Sequence, residues 1–184
     1  MNSLEVIANF WQNFCATQDA LTIASKVIVT CETFLLTDTE FLDDSPENAL
    51  QIIKASRSAA SDYAILSMWA IFERTLISIA EIESQKMLWK PALPLTIAVQ
   101  QKVSDNIEYW KPDEMLNLCK IMVDGNLIGQ AKQIKHYRDW VAHKNPKKGS
   151  PAKVTAETAY TVLISILKQL DANMHTNNVA VATV

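Results

Sequence analysis

"ALQIIKASRSAASDYAILSMWAIFERTLISIAEIESQKM", residues 49–87, is the stretch whose reading decides the fold. It runs for 39 residues without glycine or proline, and its apolar side chains recur at the three- and four-residue spacing of a helix rather than alternating as in a strand. Ser45 with Pro46 just inside it reads as a helix start, because proline at the first helical position gives up an N–H that has no partner there. Pro91 and Pro94 close the region, since proline pushes the residue before it out of helical geometry. The reading is one long helix or two abutting ones.

Working outward, the helical signal covers nearly the whole chain. Only Gly125, Gly129 and Gly149 occur, and no period-two run bounded by hairpin turns is present, so the expected fold class is all-α. A first helical region spans about Leu4 to Leu36, with a break expected near Thr17 and Asp19, whose side chains suit a helix cap. After an acidic loop and the long helix, shorter helices are predicted over Thr96–Ile107 and Asp113–Met122. "VDGN" at 123–126 reads as a turn. Leu127 to about His143 forms the next helix, ended by Asn145-Pro146 and the loop "KKGSPAK". Thr155 caps a closing helix through Leu170, with residues 172–184 expected as a loosely ordered tail. At 184 residues, one domain spanning 1–184 with a single core is expected, an up-and-down helical bundle with additional short helices.

Composition excludes several classes. Apolar residues are 49% and charged residues 20% of the chain, the balance of a folded protein rather than a disordered one. The N-terminus lacks a basic n-region, and Glu73 with Arg74 interrupts the most apolar stretch, so neither a secretory signal nor a membrane span is expected. A cytoplasmic protein follows as the expectation. Cys15, Cys31 and Cys119 form no C-x-x-C pair, which points to buried free thiols rather than a disulfide framework or a cysteine zinc site. Trp69, Trp110 and Trp140 are candidate core or interface anchors.

Charge is uneven on a chain of net −3. Glu32, Asp38, Glu40, Asp43, Asp44 and Glu47 form an acidic run without lysine or arginine. Lys132, Lys135, Arg138, Lys144, Lys147 and Lys148 form a basic run against the single acid Asp139, a local excess of +5. Such a run is most simply a solvated helix face; it is also what a phosphate-rich ligand requires.

The basic run contains "HYRDWVAHKNP", residues 136–146. Histidine moves protons near neutral pH, and arginine stays charged and grips phosphate oxygens with a fork of donors. His143 is therefore the candidate for proton transfer and Arg138 for phosphate stabilisation, with Asp139 orienting the imidazole or the arginine. In a continuous helix Arg138 and His143 lie about 140° apart. Convergence then requires either unwinding at the last turn, which Pro146 encourages, or two copies facing each other. Glu73 is a supporting candidate if its helix lies near the motif, and otherwise half of an exposed Glu73–Arg74 pair. Trp140 is the candidate dimer contact. His136, Asp139 and His143 also lie along one stripe, as metal ligands on a helix can. The plain alternative is a solvated helix end with His143 near the negative end of the helix dipole.

Arg138, a polar residue after it, three more residues and His143 match the R-x4-H motif of the HEPN superfamily of all-helical ribonucleases, which this chain resembles over its whole helical layout. "MWAIFERTLISIAE", residues 68–81, is similar to the central helix of prokaryotic HEPN toxins, with its aromatic–Glu pair. The resemblance implies a metal-independent endoribonuclease that needs no cofactor, acts as a homodimer, leaves 2′,3′-cyclic phosphates and serves as a toxin or antiviral effector with an antitoxin or regulatory partner. It implies Arg138, His143 and Asp139 as catalytic residues. Lys144, Lys147 and Lys148 would hold RNA backbone, with Asn145 in support. Asn145 stands where the branch controlled by a nucleotidyltransferase antitoxin carries tyrosine, which argues against inactivation by tyrosine adenylylation. The competing classes are a non-catalytic helical dimerisation or RNA-binding module and a metal-dependent hydrolase built on His136, Asp139 and His143.

Overall fold

The computed structural model describes residues 3–30, 33–86, 94–143, 149 and 151–181. They are predominantly helical, with six α-helices and no strand among them: α1 (Ser3–Thr30), α2 (Pro46–Lys86), α3 (Pro94–Asn106), α4 (Pro112–Cys119), α5 (Gly125–His143) and α6 (Ala156–Val181). Single 3₁₀ turns occur at Thr33–Leu36 and Ile107–Tyr109. No helix among the described residues is long and apolar enough to cross a membrane.

Local chemistry explains most of the helix ends. The Ser45 hydroxyl accepts the Asn48 N–H at 3.2 Å and caps α2, with Pro46 as its first residue. Thr155 does the same for α6, accepting the Thr158 N–H at 3.1 Å. Asp124 accepts the Asn126 N–H at 2.6 Å, so the expected turn at 123–126 is instead the capped start of α5. The long central segment is one unbroken helix of 41 residues, about 60 Å by its rise per residue.

Two further sequence expectations are corrected. The first is the break near Thr17 and Asp19: α1 is continuous, because the hydroxyls of Thr17 and Thr22 donate to the carbonyls of Asn13 and Gln18, four residues back, at 3.0 and 2.8 Å. Satisfied inside the helix, they have no capping role to play. The second is the end of the closing helix, which continues past Leu170 to Val181. Asn173 helps anchor that extension by donating to the Met122 carbonyl at 2.8 Å.

α2 is the central element, with α1, α5 and α6 packed along it and α3 and α4 set against its C-terminal part. A helix apolar on several sides is one that several neighbours can cover. The main core joins Ile65, Met68, Trp69 and Phe72 of α2 to Ile7 of α1, Leu116 of α4, Ile128 and Ile134 of α5, and Leu163 and Ile166 of α6. Trp110 and Trp140 are partly buried against this core, and Trp69 lies inside it. A smaller cluster of Ile28, Ala49 and Ile53 forms separately between α1 and the start of α2. Cys15 and Cys119 are free and half-buried, and burial pushes the Cys119 thiol up to about 11; Cys31 lies outside the described residues.

Ile134→Ala should cost about 3 kcal/mol of unfolding free energy, because it empties a fully enclosed position between α5 and its neighbours. Ile121→Ala, at a side chain 87% exposed, should change stability by less than about 0.5 kcal/mol. Urea unfolding followed by circular dichroism checks both, and equal effects would contradict this placement of the core.

Candidate functional site

The site grows from how α5 lies on α2. Ile128, Ala131, Ile134, Tyr137 and Val141 form the buried side of α5. Tyr137 and Arg138 flank the line of contact and reach opposite ways along α2. The Tyr137 hydroxyl donates to Asp62 at 2.8 Å, and Arg138 Nη2 donates to Glu73 Oε2 at 3.1 Å. Those two carboxylates stand eleven positions apart on α2, about 16 Å of helix.

Glu73 Oε2 also accepts the indole N–H of Trp69 at 3.1 Å, one turn earlier on α2. The Arg138 guanidinium carbon lies 5.3 Å from the centroid of the Trp69 ring, within cation–π range. Its other terminal nitrogen, Nη1, pairs with Asp139 Oδ1 at 3.0 Å, so Asp139 orients the arginine. Asp139 Oδ2 pairs with Lys135 at 3.2 Å, and Lys135 reaches Asp113 on α4 at the same distance. Burial of Lys135 opposes its charge, but hydrogen bonds to Asp113 and Asp139 outweigh that and hold its pKa above the ordinary value. The chain of contacts thus runs Asp113, Lys135, Asp139, Arg138, Glu73, Trp69 and ties α4, α5 and α2 together.

Arg138 is consequently more than a rim charge. Its side chain is 22% exposed and that of Glu73 32%, and Arg138 Nε is buried with no hydrogen-bond partner. Of the two readings left open for Glu73, the structure gives the one beside the motif helix, whereas Arg74 turns away to pair with Glu108 in an exposed contact. Lys132 bonds the Asn117 side chain at 2.9 Å.

His143 is the exposed last residue of α5. The helix stays regular from Arg138 to His143, so unwinding before the histidine, one of the two routes open to bring them together, does not occur. They remain about 140° apart around the axis and about 7.5 Å apart along it. Lys144, Asn145, Lys147 and Lys148 lie outside the described residues. The stripe of His136, Asp139 and His143 does not make a metal centre: no group of three histidine, cysteine, aspartate or glutamate side chains that could hold an ion occurs among the described residues. The Asp139 carboxylate is instead engaged by Arg138 and Lys135. Trp140, the candidate dimer contact, is half-buried against the core with its ring 5.9 Å from that of Tyr137.

Lys135 and Asp113 were missed by sequence reasoning. The Lys135–Asp139 spacing of four is a readable helix ion pair. Asp113 left no comparable trace, because it stands on another helix. In comparisons with known proteins, no family model, no curated protein and no solved structure matches this chain.

A double-mutant cycle on Glu73→Gln and Arg138→Gln should give a coupling of about 1 kcal/mol, the size suited to a half-exposed pair. Additive effects on unfolding would dissolve the network. A second expectation concerns alkali. Burial first, and the Asp62 carboxylate second, push the Tyr137 phenol up to about 12. A raised folded pKa supports stability below the ordinary tyrosine pKa of about 10 and withdraws it as pH rises toward 12. Tyr137→Phe should flatten stability against pH between about 10 and 12; an unchanged slope in urea titrations would refute this.

Proposed function

We propose that this chain is a metal-independent endoribonuclease whose active unit is a homodimer, with Arg138 stabilising phosphate and His143 transferring protons. The observation that carries the reading is a guanidinium held in a fixed orientation by Trp69, Glu73 and Asp139, on the same helix as an exposed histidine. Fixed donors and an accessible imidazole are the two groups that RNA cleavage without a metal requires. Because the helix is regular between them, a second copy across a two-fold axis supplies the complementary pair.

In this reading His143 takes the proton of a ribose 2′-OH. The 2′-oxygen then attacks the adjacent phosphorus, the bond to the 5′-oxygen breaks, and that oxygen receives a proton from the imidazolium of the other copy. The products are a 2′,3′-cyclic phosphate and a free 5′-OH. Arg138 neutralises the charge gathering on the phosphoryl oxygens, for which a phosphate oxygen replaces one of its carboxylate partners. Lys144, Lys147 and Lys148 add charge for the RNA backbone. The biological setting of this proposal is a cytoplasmic toxin or antiviral effector, restrained by an antitoxin or regulatory protein.

One observation favours a second reading, a non-catalytic helical module: both terminal nitrogens of Arg138 are already engaged by carboxylates, as in a structural ion pair. Activity separates the two. Expressed alone, the wild-type chain should slow growth and cleave RNA, while His143→Gln and Arg138→Gln should be folded and harmless. Undiminished toxicity in both variants would refute the catalytic assignment. Cleavage should persist in excess EDTA and leave cyclic phosphate ends, and light scattering should give twice the 20.6 kDa chain mass. Loss on chelation with recovery on zinc, or full activity as a monomer, would each count against the mechanism.

A further inference from the structure

Among the described residues, the hairpin of α1 and α2 outruns the rest of the bundle. Arg57 and Gln18 share a cavity with Lys153, Thr155 and Ala156, which places Arg57 level with the start of α6. The eleven residues of α2 before it, 46–56, therefore extend about 16 Å further. There the buried Ile28, Ala49 and Ile53 are covered by Leu21, Ala24, Leu36, Phe41 and Leu50, all from the same hairpin. The result is an arm with a small core of its own.

Its tip combines two properties within a few residues of chain. Phe34, Leu35 and Leu42 are 72%, 46% and 47% exposed in the connection between α1 and α2. Asp38, Glu40, Asp43, Asp44 and Glu47 surround them in sequence, and no lysine or arginine occurs from residue 33 to residue 53. Large apolar side chains left in water beside one sign of charge mark an interaction surface rather than a merely solvated loop. The carboxylates select what covers it. RNA backbone and anionic lipid are repelled, and a second identical tip would place like charges together.

We propose that the tip at residues 33–47 docks a cationic amphipathic segment of a partner protein, its apolar side against Phe34, Leu35 and Leu42 and its lysines or arginines beside the carboxylates. This assignment stands on the arm alone and is independent of any activity at Arg138 and His143. A helix with apolar residues on one stripe and basic residues beside it fits such a surface.

The test uses the full chain and a fluorescently labelled synthetic helix of leucine and lysine, with a leucine–glutamate helix of the same length as counterpart. Anisotropy should show binding of the first and none of the second. Phe34→Ser combined with Leu35→Ser should weaken it about tenfold or more. Glu40→Gln with Asp43→Asn should weaken it about fivefold at low salt, a difference that fades at high salt. Ile121→Ser, at the exposed side chain after α4, should leave binding unchanged, and circular dichroism should show unaltered helix in every variant. The proposal is overturned if the tip variants bind as well as wild type, if Ile121→Ser loses as much, or if the glutamate helix binds equally. It is also overturned if the same tip variants abolish a dimer, or abolish binding to neutral lipid vesicles, without affecting the peptide; those results would assign the tip to a second copy or to a lipid surface.

Discussion

Burial of α2 is the constraint on which the remaining architecture depends. A helix apolar around much of its circumference from Ala64 to Ala80 cannot be satisfied by one neighbour, so each of the other five helices finds part of its contact surface there. Trp69 and Phe72 fill the middle of that surface, their ring centroids 5.5 Å apart in a tilted arrangement. Where α6 begins, the covering helices give out and, among the described residues, α2 continues with α1. The same long helix thereby creates both a dense bundle and a projecting arm.

The polar network at Arg138 follows from that packing. Glu73 lies on the flank of α2, in a strongly apolar stretch where an unpaired carboxylate would be costly. Trp69 and Arg138 both donate to its Oε2 atom, which offsets that cost and fixes the orientation of α5. Asp139 and Lys135 extend the pairing to α4 through Asp113. Three carboxylates and two cations leave this cluster with a formal charge of −1, so an incoming phosphate meets a guanidinium whose partners compete with it. A rigid arginine and a restrained one are here the same physical object, and the balance between substrate and carboxylate is what the proposed chemistry turns on.

The two ends of the site differ in kind. Arg138 is held from several sides, whereas His143 stands in solvent at the end of its helix. Nothing within one protomer's regular helix brings them to one point, because five residues of α-helix fix both a rotation and a rise. The proposed second copy is the route by which both groups would reach one phosphate. The arm is remote from this issue: its acidic tip lies apart from the motif helix, which carries Lys132, Lys135 and Arg138 of the basic run.

By itself the sequence determined what is local. The all-α class and the starts of α2 and α6 rest on periodicity and on caps that act within four residues, as Ser45 and Thr155 do; whether the central segment was one helix or two abutting ones was left to the structure. The motif residues were legible for the same reason, and the Lys135–Asp139 pair, though missed, carries the same four-residue signal. The continuity of α1 was not, because threonine hydroxyls that can cap a helix can equally bond to carbonyls within it, and packing against α2 favours the continuous form. Whether Glu73 would meet Arg138 or form an exposed pair with Arg74 was decided only by the tertiary structure. The contact spans 65 positions and depends on where α5 crosses α2, which no short-range pattern encodes.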